Sequence, residues 1–188
     1  LSRRQRQMCI RDRRREMKRI LTLLFGVLFL VGCGSSQPKV PLAGKYKFEG
    51  ISYTHVQRHE PTKFFYQSPK MIEKKYNKQI TEALTKENLL DPNSSDELKI
   101  KVTHRREFMG EATFAKSDRM GNIYLTYEVE VVRNGEVLRH YGSSELRFNP
   151  GVFGNLKGLV GQNNDDSLEN KAISANVKEI VDTIKGLK

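Results

Sequence analysis

From residue 122 to residue 148 the chain reads NIYLTYEVEVVRNGEVLRHYGSSELRF, and no other stretch narrows the fold as much. Ile123, Leu125, Tyr127, Val129 and Val131 fall at every second position, with Thr126, Glu128 and Glu130 among their neighbours. Side chains of a strand alternate faces, so this spacing predicts a strand with one buried and one solvated face. A slip of one residue would turn the whole apolar set towards water, so the same pattern fixes the register. Asn134-Gly135 supplies the residues that a two-residue hairpin needs at positive φ. A fourth strand should then run from about Glu136 to Phe148. A sheet with one apolar face needs a layer to cover it.

Two segments have the period to do so. Ile72, Tyr76, Ile80, Ala83 and Leu84 share one helical face. Ser68-Pro69 offers this helix an N-cap and a first-turn proline, and Asp91-Pro92 followed by Asn93-Ser94-Ser95 should stop it near Leu90. Ile173, Val177, Ile180, Ile184 and Leu187 make a second stripe, with Asp166-x-x-Glu169 as its expected capping box.

The remaining strands are also patterned. Residues 45–56, KYKFEGISYTHV, read as a strand with a bulge at Gly50. Leu98, Ile100 and Val102 alternate with Lys99, Lys101 and Thr103, and this strand should extend through Phe108 towards Phe114 with a second bulge at Gly110. Ser117 to Gly121 reads as a turn. The expected fold is α+β, a two-layer sandwich of order β-α-β-β-β-α. Its mostly antiparallel four-stranded sheet carries two helices on one face.

Upstream, residues 17–36 read MKRILTLLFGVLFLVGCGSS. The run from Ile20 to Val31 is too short for a bilayer span, which needs roughly 20 apolar residues. It has the size of a signal-peptide core, with Lys18 and Arg19 as the positive region before it. Leu30-Val31-Gly32-Cys33 resembles the lipobox of bacterial lipoproteins. That resemblance implies cleavage between Gly32 and Cys33, a diacylglyceryl group on the Cys33 thiol, and often a further acyl group such as palmitate on the new amine. Two or three acyl chains anchor stably where one does not. Gly34 follows the cysteine where Asp would typically retain a Gram-negative lipoprotein at the inner membrane. The resemblance therefore implies the outer membrane, with the domain facing the periplasm.

The expected organisation follows. Residues 1–16 carry seven arginines without apolar periodicity; a basic arm for nucleic acid or acidic lipid is one reading, but ahead of a start at Met17 the segment reads as non-native upstream sequence. Residues 17–32 are the leader, and 33–44, small, polar and proline-bearing, are a tether. Residues 45–188 are one α+β domain. The formal charge of +11 is largely a property of the upstream segment and the leader. From Cys33 onward only +4 remains, which demands no nucleic-acid partner. Cys9 lies upstream and Cys33 takes lipid, so the domain has no thiol for catalysis or for zinc.

A lipobox, a tether and a β-α-β-β-β-α unit closing on an amphipathic helix are together similar to the lipopolysaccharide-assembly lipoprotein family. They also resemble the N-terminal domain of TolB and other small envelope lipoproteins. The likeness covers residues 33 to 188 and rests on element order, with only the lipobox matching residue by residue. It implies a non-enzymatic accessory or assembly subunit of an envelope complex, or alternatively a chaperone-like module for a lipid or glycan.

Three constellations remain. His55 and His59 with Glu60 have the spacing of a metal pair, but at a strand end four residues do not bring them to one face. His104 and His140 fall on strands, on the polar face or at an edge. Arg105, Arg106, Lys116 and Arg119, with His104, gather around the hairpin from the second to the third strand. Arginine forks there would suit the phosphates of lipid A or another envelope polyanion. Finally, Val152, Phe153, Leu156 and Leu159 lie among the glycines of a connector longer than the usual two to six residues, which reads either as a connector folded over the sheet or as a partner-docking or membrane-touching surface. The order Lys157-Gly158-Leu159 is not that of a phosphate loop. No catalytic spacing is present, and no cofactor, metal or nucleic acid is expected.

Overall fold

In the computed structural model the described residues are 40–114, 116–148 and 166–187. They contain strands β1 (Lys47–Val56), β2 (Glu97–Phe108), β3 (Met120–Arg133), β4 (Glu136–Gly142) and β5 (Leu146–Arg147), and helices α1 (Pro69–Lys86) and α2 (Ser167–Gly186). Gly32 and Cys33 lie outside the described residues. So do Val152, Phe153, Leu156 and Leu159.

The sheet runs β1-β2-β3-β4, with β5 also pairing with β3. β1 is parallel to β2, joined by α1 as a crossover, and the other pairings are antiparallel. This is the expected α+β sandwich. Leu98, Ile100 and Val102 of β2 and Tyr127, Val129 and Val131 of β3 face Ile72, Tyr76, Ile80 and Leu84 of α1 and Ile173, Val177, Ile180 and Ile184 of α2 in one core. Val40–Lys188 forms one compact unit around it.

Local chemistry places each element. Ser68 Oγ accepts from Met71 N–H at the start of α1, and Pro69 follows it. The helix ends at Lys86 because Asn88 takes a positive φ of 55°, which lets Leu89 N–H reach Leu84 O at 2.9 Å and turns Leu89 into the core. Gly50 forms the expected bulge at φ 139°. A Cβ there would meet Asn77 Oδ1 at 3.2 Å, the atom that holds Ile51 N–H. Asn134 and Gly135 both sit at positive φ in the β3–β4 turn.

Three boundaries differ from expectation. β2 stops at Phe108, and Gly110 serves a turn rather than a bulge, with Glu111 N–H bonded to Phe108 O. The expected fourth strand breaks into β4 and β5. There Ser143 Oγ takes the Tyr127 N–H that a strand carbonyl would otherwise receive. The capping box is absent: Asp166 accepts instead from Gln67 N–H at 3.2 Å, and Glu169 turns inward, fully buried.

Candidate functional site

On β2 the inward positions read Leu98, Ile100, Val102, His104, Arg106, Phe108. The apolar period continues into two polar residues without changing phase, so strand geometry forces them under the helices. His104 is fully buried and Arg106 is 4% exposed. Both meet the inward-turned Glu169 in the first turn of α2. Arg106 Nε and Nη2 donate to the two Glu169 carboxylate oxygens, each at 2.7 Å, and His104 Nε2 lies 3.1 Å from Oε1. Burial by itself would raise the Glu169 carboxyl, but the His104 and Arg106 contacts outweigh it and hold it below the usual range.

The same guanidinium organises the loop between β1 and α1. Arg106 Nη2 donates to Gln67 O at 2.6 Å, and Nη1 to Gln57 Oε1 at 3.2 Å. His55 Nε2 lies 3.3 Å from that oxygen, and its Nδ1 is 3.1 Å from Tyr53 OH. A tyrosine hydroxyl donating to Nδ1 leaves the proton on Nε2, which satisfies both contacts. Burial lowers the His55 pKa, so the ring is kept neutral. Gln67 Nε2 reaches Asn170 Oδ1, as does Lys75 Nζ.

Asp118 clamps this loop to the β2–β3 hairpin. Its carboxylate accepts from His59 Nε2 at 2.6 Å, from the Thr62 and Lys63 N–H groups at 2.8 Å each, and from Thr62 Oγ1. These bonds, the His59 contact foremost, drive its pKa far below the ordinary carboxylate range. Tyr66 OH donates to Asp118 O and receives Met120 N–H. At the loop lies a pocket of about 450 Å³, lined by Pro61, Phe64, Phe65 and Pro69 and by polar residues that include Gln57, Gln67 and Arg106. Phe65 and Phe114, on the two clamped loops, are fully exposed.

The expected basic cluster does not assemble as expected. Arg106 is removed from it by burial, because its strand position is in phase with the core. Arg105 points outward but is committed to Glu145 at 2.9 Å and lies 3.8 Å over the Tyr124 ring. Lys116 and Arg119 remain exposed at the tip. His104 lies in the interior, not on a polar face. His55 and His59 serve different partners, Gln57 and Asp118. Among the described residues no group of three metal-ligating side chains is present, and no helix is long and apolar enough to cross a membrane.

Gln57, Gln67 and Asp118 have no signal in the sequence, and Glu169 reads there as a helix-capping residue rather than a buried acid. The legible signal was His104 and Arg106 in phase with an apolar strand face, which calls for a buried acid somewhere else in the chain.

The opposite end of the sheet receives the chain. Ala43 N–H and Arg133 Nε both bond to the buried Asp96 carboxylate, at 2.7 and 2.6 Å. Arg133 and Arg139 hold the carbonyls of Pro41 and Val40. Residues 40–44 thus lie against the domain.

No family model matches this chain, and no curated protein does. Among solved structures it is similar to a minor lipoprotein from Acinetobacter baumannii, at 16% identity over 78% of this chain and 94% of that one, with a TM-score of 0.34. It is also similar to a Xanthomonas campestris protein of the family DUF330, at 11% identity over 79% and 86% of the two chains, TM-score 0.38. A third, an uncharacterised protein, shares 12% identity over 78% and 96%, TM-score 0.36. At these identities and TM-scores the likenesses carry no argument about function.

Proposed function

We propose that the chain is a lipid-anchored envelope protein, carried on Cys33 at the periplasmic side of the outer membrane. It acts as a non-enzymatic accessory subunit whose working surface is the clamped end of the sheet. One observation supports this above others: chain entry and clamped loops occupy opposite ends of β2. Twelve strand residues span about 40 Å, whereas the seven residues from Cys33 to Val40 reach at most about 25 Å. The clamped loops thus lie at the end of the sheet farther from where the chain enters. Phe148 and Asp166, the described residues on either side of 149–165, both sit at that same distal end. Phe148 N–H bonds to Ile123 O there, and Asp166 holds Gln67.

The test has two arms. Cys33→Ser should leave an unprocessed precursor without lipid label, and normal maturation of that variant would end the anchoring claim. Photo-crosslinkers placed at Phe65 and at Phe114 should trap the same integral membrane protein, while one at Glu128 on the open sheet face should not. Equal trapping from all three would move the working surface elsewhere.

The pocket beneath Phe64 and Phe65 favours a second reading, a module that binds a lipid. Ligand that binds only the folded state raises its melting temperature, so a shift with lipid and no crosslinked partner would favour this reading over the first.

A further inference from the structure

The pocket between the β1–α1 loop and α1 has the construction of a built ligand site. Its floor is rigid before any ligand arrives. Gln57 is held by Arg106, His55 and Glu60, and Gln67 by Arg106, Asp166 and Asn170. The apolar part of its lining is Pro61, Phe64, Phe65 and Pro69. The concavity of about 450 Å³ combines this apolar strip with the polar side chains of His55, Gln57, Glu60, Gln67, Ser68 and Arg106.

The polar groups select the head of the ligand. A guanidinium has five N–H donors. In Arg106, Nε and Nη2 spend three on Glu169 and Gln67 O, and Nη1 spends one on Gln57. One Nη1 N–H is therefore left without a partner among the described residues. The N-terminus of α1 opens at Ser68 and Pro69 on the same lining, and its first turn holds no acidic side chain to offset the helix dipole. The carboxylate on the lining, Glu60, is exposed at the rim and accepts from Gln57 Nε2. An open donor beside an uncompensated helix terminus favours an anionic head.

The mouth selects the tail. Phe65 stands 95% exposed at the opening, so a chain longer than the pocket can run out past its ring into solvent. A compact aromatic acid would leave that ring uncovered, whereas a linear chain covers it.

We infer that this pocket binds the carboxylate end of a single acyl chain, with the head at Arg106 Nη1 and the start of α1, and the tail along Phe64 and Phe65. The inference rests on the lipid-binding reading above and not on the anchor or on a protein partner.

Calorimetric titration of residues 34–188, which contain the whole compact unit and no acyl chain, tests it. Decanoate below its micellar concentration should bind one to one. Decanol, of equal length without the charge, should bind at least tenfold more weakly, and acetate, with the charge but no tail, should give no measurable heat. Arg106 is too deeply paired to be removed cleanly, so the site is located with Phe65→Asp. That exposed substitution should leave the melting temperature unchanged and weaken decanoate at least tenfold. Absence of decanoate binding, equal affinity for decanol, or a Phe65→Asp variant that binds as well as the parent would each overturn the inference. None of these results would touch processing at Cys33 or crosslinking from Phe114, so the anchored-subunit reading stands or falls separately.

Discussion

The two ends of the sheet solve one problem with different exposure. At the entry end Asp96 is fully buried, and its arginine, Arg133, keeps about a quarter of its side chain in water (27%). At the distal end Glu169 is fully buried and Arg106 is nearly so, at 4%. Arg133 can exchange its acid for water, but Arg106 cannot. A charge stranded in the interior loses both its hydration and its partner, which is why breaking a buried pair costs far more than breaking a surface one. The entry end is a latch on the incoming chain, whereas the distal end fixes α2, the β1–α1 loop and the pocket floor at once.

The largest test of this contrast is Arg106→Met, which leaves the buried Glu169 with only His104 beside it. It should destabilise the domain by about 3–5 kcal/mol, read as a lower urea midpoint. The double change Arg106→Met with Glu169→Leu should recover most of that loss, since replacing a buried pair by apolar residues is often neutral. A double variant as unstable as the single would mean that the pair contributes through geometry rather than through matched charge.

At the entry end, Asp96→Ala should cost about 1–3 kcal/mol, the scale of leaving the Ala43 N–H unsatisfied, because Arg133 can turn to solvent. A loss as large as that of Arg106→Met would erase the distinction between the ends.

Smaller still is a pH effect at the distal end. The folded His55 titrates below its ordinary value near 6.5 because of burial. Below pH 6.5 the unfolded chain therefore binds a proton that the folded chain refuses. Stability should be complete above that pH and fall as the pH drops from there towards the folded value. His55→Gln should flatten the slope in that window. Glu169, also depressed, adds a further decline only below its ordinary value of about 4.5. An unchanged slope in His55→Gln would assign the dependence to another group.

The smallest effect is expected at the hairpin tip. Lys116→Ser and Arg119→Ser remove exposed charges and should shift stability by no more than about 0.5 kcal/mol. A larger loss would place these side chains in a network with the clamp at Asp118.

The strand and helix pattern was legible because burial repeats with the geometry of each element. Val129 and Val131, or Ile180 and Ile184, announce their faces without knowledge of any partner. The β1 bulge and the β3–β4 turn were legible for a similar reason: Gly50 and Asn134-Gly135 permit backbone angles that other residues resist. Asp166-x-x-Glu169 shows where this local reading fails. Its spacing suits a capping box, yet a buried guanidinium on β2 offers Glu169 a stronger, charge-assisted partner than its own backbone N–H does. Ser143 ended β4 in the same way, by competing with a strand carbonyl for one N–H. Neither competitor is near in sequence.

The chain by itself determined the element order, the apolar faces and the turns, since each depends on residues within a few positions of one another. Tertiary structure alone decided where the polar residues went. His104 and Arg106 carry the same side chains whether they face water or the core, and only the arrival of α2, more than sixty residues later, supplies the acid that makes their burial possible. The loop clamp at Asp118, the latch at Asp96 and the pocket floor at Gln57 and Gln67 depend on such meetings as well. Hydrophobic period is a local property, but the satisfaction of a buried charge is a pairwise one.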